Sequence, residues 1–241
     1  MVNLSKRLSS VAGMVPKSHV VADIGCDHAH VAIYLIEQEL ADKVIACDVN
    51  KGPLKMAEGN IREYGCEDRI ELRLSNGLER IGKGEAESVV IAGMGGPLML
   101  DIIKAAEGKI ADVNLILQPQ SELRSFREYL RDNGFSILKE DMVFEDGKFY
   151  QMMLAKACSS GSLYGGADDF PEGIPEEGLE YGEFLIRNRN KCLFAYLEKE
   201  KKQLESVLSG LKQNAKTKTA VERLEEIEHK LYVNRMAMRR L

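Results

Sequence analysis

Three carboxylates lie beside a glycine turn and at a strand end, in the pattern of a nucleotide-binding crevice. Asp23 and Asp27 flank Gly25 in the segment VVADIGCDHAH, and Asp48 ends the apolar run KVIACD. In α/β sheets, nucleotide-like cofactors bind where an apolar strand turns through glycine into a helix. An acid that ends the next strand is placed to accept from ribose hydroxyls, with capping of the following helix as the alternative for Asp48. The spacing therefore predicts a cofactor site around Asp23, Gly25 and Asp48.

The glycine turn departs from the usual dinucleotide pattern. Asp27 and Ala29 occupy the positions where the second and third glycines normally fall. The carboxylate of Asp27 would repel a pyrophosphate held on backbone amides, which disfavours NAD, FAD and ATP. S-adenosylmethionine carries cationic sulfonium and amino groups, so the pattern favours this cofactor. For Asp27, capping of the helix N-terminus is the alternative interpretation.

Polar and glycine-rich segments follow the third, fourth and fifth predicted strands. Asn76-Gly77 is placed to contact an adenine ring, with a plain turn as the alternative. Gly93-Met94-Gly95-Gly96 supplies a floor with few side chains, and Pro97 suits a first helical turn. Gln118-Pro119-Gln120 forms a rigid corner whose two amides are expected to point into the same crevice. Because the carboxyl ends of parallel strands meet at one edge of a sheet, we expect these segments to line one site.

The histidines and cysteines form no recognisable metal site. Asp23, Asp27, His28 and His30 lie close together, but no further cluster completes a ligand set, so we expect no metal. The five cysteines include no CxxC pair, which favours reduced thiols and a cytoplasmic location. No apolar run reaches the roughly 18 residues of a membrane span, and the N-terminus lacks the pattern of a signal peptide.

Between residues 20 and 157, short β-rich runs alternate with helical patterns. The predicted parallel strands are 20–24, 43–48, 69–75, 88–93 and 113–118. The predicted helices are 28–39, 52–64, 97–107 and 121–133, the last ending at Gly134. Two final β-rich runs flank Asp146-Gly147, a strong hairpin signal. The order predicts a seven-stranded, mostly parallel, Rossmann-like α/β sheet with an antiparallel hairpin, as in class I methyltransferases.

The C-terminal third has a different composition. Residues 1–158 are assigned to the sheet domain, and residues 159–178, rich in Gly, Pro, Ser and acids, read as a linker that opens the region 159–241. Beyond the linker, apolar residues at helical spacing and a break around 213–219 predict two long helices in a coiled-coil-like hairpin, with helices docked on the sheet as the alternative.

Charge is also distributed unevenly. The chain has a net charge of −5, but residues 187–241 carry fourteen Lys and Arg against seven Asp and Glu, a local balance of +7. Such a basic segment suggests a polyanionic partner, and a solvated helical face is the alternative. The candidate RNA-binding residues are Lys199, Lys201, Lys202, Lys216, Lys218, Arg235 and Arg239.

Four segments together give a specific resemblance. With ADIGCDHAH, IAGMGG, ILQPQ and an N-terminal LSKRLSSVAGMVP, the chain resembles the bacterial tRNA (adenine-N1)-methyltransferases of the TrmK family, which modify an adenine in the D-arm. The resemblance covers nearly the whole chain and implies S-adenosylmethionine as cofactor and tRNA as substrate. His30 stands where a tyrosine is expected, and Gln120 replaces an asparagine, so the substrate-facing details differ from the family pattern.

The resemblance also implies roles for individual residues. The residues expected at the reaction centre are Asp27, His28, Gly95, Gln118 and Pro119. Those expected to bind the cofactor are Asp23, Gly25, Gly93 and Met94, and the strand-end positions described above add Asp48, Asn76 and Gly77.

Methylation at adenine N1 uses a ring nitrogen with an available lone pair. Such a reaction needs in-line positioning and an environment that tolerates growing positive charge, more than a strong base. Asp27 is the first candidate for that electrostatic role. The rival interpretations are a methyltransferase of a small molecule or protein, and a non-catalytic RNA-binding protein with a methyltransferase-like fold. We expect a monomer.

Overall fold

The computed structural model describes residues 1–106, 108–157, 163–164, 173–214 and 218–241. The chain divides into two compact units, Met1–Pro171 and Glu172–Leu241. The division predicted after residue 158 stays a prediction, since residues 158–162 and 165–172 of the predicted linker lie outside the described part.

The first unit is built on a seven-stranded sheet. Its strands are β1 Ser18–Ile24, β2 Ala41–Asp48, β3 Ile70–Leu74, β4 Ser88–Met94, β5 Asn114–Pro119, β6 Phe135–Glu145 and β7 Lys148–Ala157. Its helices are α1 Lys6–Ala12, α2 His30–Glu37, α3 Lys51–Glu63, α4 Gly96–Ala105 and α5 Leu123–Asp132. The strand order is β3-β2-β1-β4-β5-β7-β6, with β1 to β5 parallel and β7 antiparallel to both of its neighbours. The predicted Rossmann-like methyltransferase sheet is confirmed.

The central strands carry runs of consecutive apolar residues because both faces of a parallel sheet are covered. Val89–Ile91 of β4 and Leu115–Leu117 of β5 are buried accordingly. The hairpin between β6 and β7 turns at Asp146 and Gly147, whose φ values of 48° and 79° suit a type I′ turn. The Asp-Gly signal thus predicted the turn correctly.

One helix of the first unit did not follow from the sequence pattern. α1 has only seven residues, and the side chain of Ser5 caps it by accepting from the backbone N of Leu8 at 3.3 Å. Val11 and Ala12 bury its inner face in the core. A helix this short carries little periodic signal, so its contribution to the site was not predicted.

The second unit is helical. Its helices are α6 Glu176–Tyr181, α7 Glu183–Arg187, α8 Lys191–Asn214 and α9 Lys218–Arg240. Ion pairs between Lys212 and Glu228 at 2.8 Å and between Arg235 and Glu205 at 3.3 Å show that α8 and α9 run antiparallel. The predicted pair of C-terminal helices is confirmed, although Glu176–Tyr181 begins inside the predicted linker.

Candidate active site

A cavity of about 460 Å³ lies where the strand order reverses between β1 and β4. Ligands of open α/β sheets bind at this switch point, outside the carboxyl ends of the strands. Nine of the predicted site residues belong to the lining of this cavity. They are Asp23, Gly25, Asp27, His28, Asp48, Asn76, Gly77, Gly93 and Met94.

Two buried carboxylates form the electrostatic centre of this cavity. Asp23 lies next to the last residue of β1, Ile24, and Asp48 is the last residue of the adjacent strand β2. Among the described residues, Asp23 Oδ2 has no hydrogen-bond partner. Burial, and then the charge of Asp48, raise the pKa of Asp23 to about 7. The site thus holds an unsatisfied acceptor that a cationic ligand group would satisfy.

Asp48 also makes a local bond, since its Oδ1 accepts from the backbone N of Asn50 at 2.8 Å. Asn50, and not Asp48, is the N-cap residue of α3. The alternative interpretation of Asp48 as the cap of that helix is therefore wrong.

Two glycines keep the cavity open. Gly25 has a φ of 73°, and a Cβ atom there would overlap Met94 Cε. Gly77 has a φ of 54°, and its Cβ would lie 2.9 Å from Ile102 Cγ2. A side chain at either position would strain the backbone and intrude on a cavity-lining residue. These contacts explain why glycine follows β1 and β3 at these points.

Asp27 and His28 occupy the turn between β1 and α2. The Asp27 side chain is 73% exposed, its φ is 51°, and its Oδ1 lies 3.4 Å from His28 Nε2. α2 begins at His30, with Ala29 as N-cap and no side-chain cap. The capping interpretation of Asp27 is therefore wrong, and helix α2 starts two residues later than predicted because Asp27 and Ala29 have positive φ.

The QPQ corner differs from the prediction in one respect. Gln118 is fully buried and, like Pro119, is not among the residues that line the cavity, whereas Gln120 is. The Gln118 Oε1 atom accepts from Arg7 Nη1 at 2.8 Å and from the backbone N of Gly93 at 3.1 Å. The expectation that both amides point into the crevice is therefore wrong for Gln118. Gln118 positions two neighbours that do line the cavity.

The glycine segment after β4 likewise contains some residues that line the cavity and some that do not. Gly93, at a φ of 82°, forms part of the cavity wall, and the pairing with β5 shifts register around it. Gly95 does not belong to the lining, and a Cβ at Gly96 would overlap the carbonyl O of Ser121. Gly96 is therefore required for packing of α4 against the loop after β5. Whether Gly95, Gln118 and Pro119 act in the reaction stays a prediction.

Arg7 is a cavity-lining residue that sequence reasoning missed. Its guanidinium carbon lies 5.4 Å from the centroid of the Tyr150 ring, and Glu145 Oε1 accepts from its backbone N at 3.3 Å. The lining residues among the described part of the chain include no other Lys or Arg. The segment LSKRLS, which contributes to the family resemblance, is the sequence signal that could have indicated a role for Arg7.

The predicted RNA-binding residues lie in the second unit. Lys199, Lys201 and Lys202 belong to α8, and Arg235 and Arg239 belong to α9. Arg235 pairs with Glu205 on the surface. Lys216 lies outside the described residues, and the side chain of Lys218 is likewise not described.

Neither a metal centre nor a membrane span is found in the described part of the chain. Its His, Cys, Asp and Glu side chains include no group of three or more arranged to hold a metal ion. Among the described residues, no helix combines the length and apolar character that crossing a membrane requires.

The chain is similar to known methyltransferases. Residues 4–153 match a family model described as a methyltransferase domain. The tRNA (adenine(22)-N(1))-methyltransferase of Bacillus subtilis is 32% identical over 232 residues, covering 95% of this chain and 94% of the relative. The crystal structure of B. subtilis TrmK, an m1A22 tRNA methyltransferase, superposes with a TM-score of 0.85 at 30% identity, covering 99% of this chain and all of that chain. Streptococcus pneumoniae Sp1610 in complex with S-adenosyl-L-methionine gives 0.83 at 29% identity, over 98% of this chain and 100% of that one.

Proposed function

The chain belongs to the methyltransferase family of the B. subtilis tRNA (adenine(22)-N(1))-methyltransferase, and on that premise we propose that it methylates N1 of an adenine in the D-arm of tRNA. S-adenosylmethionine is the methyl donor, as in the relatives. This cofactor supplies an electrophilic methyl group on a sulfonium, which the adenine lone pair can attack.

The buried carboxylate pair is the observation that carries the proposal. S-adenosylmethionine presents cationic groups together with two ribose hydroxyls. Asp23 offers a buried oxygen that lacks a partner among the described residues, and Asp48 lies at the end of the next strand. This pair of acceptors suits a cationic nucleoside and opposes a pyrophosphate.

The other residues that we assign to cofactor binding lie in the cavity wall. Gly25 and Gly93 let the ligand approach the backbone, and Met94 closes the wall beside Gly25. Asn76, whose Nδ2 donates to Glu79 Oε1 at 3.0 Å, retains its amide oxygen as an acceptor for an adenine amino group, with the backbone of Gly77 beside it.

Asp27 is assigned the electrostatic role in the reaction. Its exposed carboxylate at the cavity edge would stabilise the positive charge that grows on adenine as N1 is methylated. His28 lies beside that carboxylate and orients it. No strong base is required, because the N1 lone pair carries no proton.

The substrate is bound over a larger surface than the cavity. We assign the tRNA contacts to seven basic residues of the C-terminal region, because the local excess of positive charge suits a polyanion. They are Lys199, Lys201, Lys202, Lys216, Lys218, Arg235 and Arg239. We also place the enzyme in the cytoplasm, as a monomer. Cys26, Cys47, Cys66 and Cys192 are free thiols, which suits a reducing compartment.

The substrate class is tested by transfer of a labelled methyl group. Purified protein with methyl-labelled S-adenosylmethionine is offered unmodified tRNA, bulk protein and a small-molecule extract in parallel. We expect label in tRNA alone, and none with the Asp23→Asn variant, which loses the buried charge. Label in protein or small molecules would favour the first rival function. Binding of tRNA without any transfer would favour a non-catalytic RNA-binding protein.

A further inference from the structure

We propose that Gln120 recognises the target adenine through its N6 amino group and N7 atom, leaving N1 free to react. The inference rests on the proposed function, because it assumes an adenine in the cavity. It assigns a specificity-determining role to a side chain at the carboxyl end of β5.

The backbone of Gln120 is held in place on both sides. Its N–H donates to the carbonyl O of Met94 at 2.9 Å, which ties the corner to the end of β4. Pro119 precedes it, and the next residue, Ser121, accepts at Oγ from the backbone N of Gly96 at 3.2 Å. The backbone from which the carboxamide extends is therefore held in a fixed position, which limits the region that the side chain can reach.

The Gln120 carboxamide is uncommitted. The side chain is exposed, lines the cavity and makes no hydrogen bond with the described residues. Neighbouring amides differ in this respect, since Gln118 Oε1 accepts from Arg7 and Gly93, and Asn76 Nδ2 donates to Glu79. Gln120 thus presents a donor and an acceptor to whatever enters this part of the cavity.

The Gln120 carboxamide borders the bare backbone of Gly93 in the cavity wall. A Cβ at Gly93 would lie 3.9 Å from Gln120 Nε2 and 3.5 Å from Arg7 Nη1. These are ordinary van der Waals distances, so the bare backbone of Gly93 leaves space of about a methyl group between the two polar groups. The base is placed in the part of the cavity of about 460 Å³ that Gly93, Arg7 and Gln120 line.

The reaction restricts how the adenine can be recognised. N1 lies on the Watson–Crick edge, and a donor bonded to N1 would occupy the lone pair that must attack the methyl group. The N6 amino group and N7 lie on the other edge, and a glutamine carboxamide pairs with both at once. Guanine presents acceptors at both O6 and N7, so the Gln120 oxygen would face an oxygen. The same pairing therefore selects adenine and leaves its nucleophile exposed.

The pairing also assists the reaction. As N1 gains the methyl group, the ring becomes cationic and the N6–H group becomes a stronger donor. The bond from N6 to the Gln120 oxygen then strengthens in the transition state, which raises the rate as well as the affinity. A neutral amide has a further advantage over Arg7, whose charge opposes the cation that forms.

The test combines atomic changes in the RNA with variants of the protein. tRNA is assembled with adenosine or 7-deazaadenosine at the target position, and kcat/KM for methyl transfer is measured for both. Gln120→Leu removes both hydrogen-bonding groups, and Gln120→Glu keeps an acceptor for N6 but removes the donor to N7. Gln38→Leu is the matched control, since Gln38 is exposed at the far end of α2 and lies outside the cavity lining.

Replacing adenosine with 7-deazaadenosine should lower kcat/KM in the wild-type protein and in Gln38→Leu. We expect this decrease to be about tenfold larger than the decrease in Gln120→Leu. Gln120→Leu should lower kcat/KM on adenosine by about tenfold to a hundredfold while the Kd for S-adenosylmethionine stays unchanged. Because removal of N7 also alters the reactivity of N1, the decisive quantity is the ratio of the two substrates compared between variants.

Two results overturn the inference. One is a 7-deazaadenosine ratio that is the same in wild type and Gln120→Leu, and the other is a Gln120→Glu variant that keeps the wild-type ratio. If the wild-type protein transfers no methyl group to adenine N1 in tRNA, the proposed function itself fails, which separates the two outcomes. Thermal melting of each variant confirms that the fold is intact.

Discussion

Asp23 and Asp48 are buried carboxylates at the carboxyl ends of adjacent parallel strands, and the charge of Asp48 adds to burial in raising the pKa of Asp23. In the free protein, Asp23 is therefore about half protonated near neutral pH, since its pKa is about 7. Like charges held close together in a poorly hydrated site are costly unless a cation lies between or beside them. The site is thus arranged so that a cationic ligand relieves an existing electrostatic cost.

The first prediction concerns pH. A cationic cofactor favours ionised Asp23, so the affinity for S-adenosylmethionine should rise as pH increases from one unit below to one unit above the pKa of about 7. Calorimetry near that pH, in two buffers of different ionisation enthalpy, should show proton release on binding. Asp48→Asn removes the neighbouring charge, so the same rise should occur at lower pH. Proton release that persists in Asp23→Asn would mean that Asp23 is not the group that loses the proton.

The second prediction concerns the acid at the end of β2. Asp48→Ala should weaken binding of S-adenosylmethionine by about tenfold to a hundredfold, because hydrogen bonds to a charged group contribute roughly 1.5–3 kcal/mol. Asp42→Ala is the matched control, because Asp42 lies at the exposed opposite end of the same strand. The two dissociation constants are compared by calorimetry. Equal constants would remove Asp48 from the cofactor site.

The third prediction separates chemistry from binding at Asp27. Asp27→Asn keeps the size of the side chain and tolerates the positive φ of 51°, while it removes the charge. The single-turnover rate should fall by about tenfold or more, with little change in the Kd for the cofactor, because the interaction that is removed belongs to the transition state. If affinity collapses and the single-turnover rate survives, Asp27 belongs to the cofactor pocket.

The fourth prediction concerns α8. Replacing Lys199, Lys201 and Lys202 with Glu should weaken tRNA binding and flatten its dependence on salt, by roughly one unit or less for each phosphate that is no longer neutralised. S-adenosylmethionine should bind as in wild type. The control replaces Lys17, Lys43 and Lys83, three exposed lysines of the first unit outside the cavity lining, with Glu. It changes the net charge equally, so a matching decrease in affinity would mean that the α8 lysines act only through overall charge.

The parts of the site that could be predicted are those encoded by strand ends. Asp23, Gly25 and Asp48 follow apolar runs, and the rule that parallel strands end at one edge places them together. The hairpin at Asp146-Gly147 could also be predicted from the sequence, because positive φ at both positions restricts the residue types. In each case the signal is local in the chain.

The parts that could not be predicted depend on contacts distant in sequence. The Arg7 side chain is held at the cavity by its hydrogen bond to Gln118, which lies 111 residues away in the sequence. Nothing in the sequence of α1 indicates that partner. In the QPQ corner, alternation along a strand would put Gln118 and Gln120 on the same face. β5 ends at Pro119, however, so Gln120 lies beyond the strand and lines the cavity while Gln118 is buried. The start of α2 was misplaced for a related reason, since positive φ at Asp27 and Ala29 is unusual for these residue types.

Identification of the methylated atom tests the proposed reaction. A tRNA transcript is incubated with purified protein and S-adenosylmethionine, digested at neutral pH so that the methyl group does not migrate, and its nucleosides are separated and identified by mass spectrometry. We expect N1-methyladenosine as the product, and we expect none when the single D-arm adenine corresponding to the relative's target is replaced by guanine. Saturable cofactor binding without N1-methyladenosine, or a methyl group on N6 or on another base, would contradict the proposed reaction.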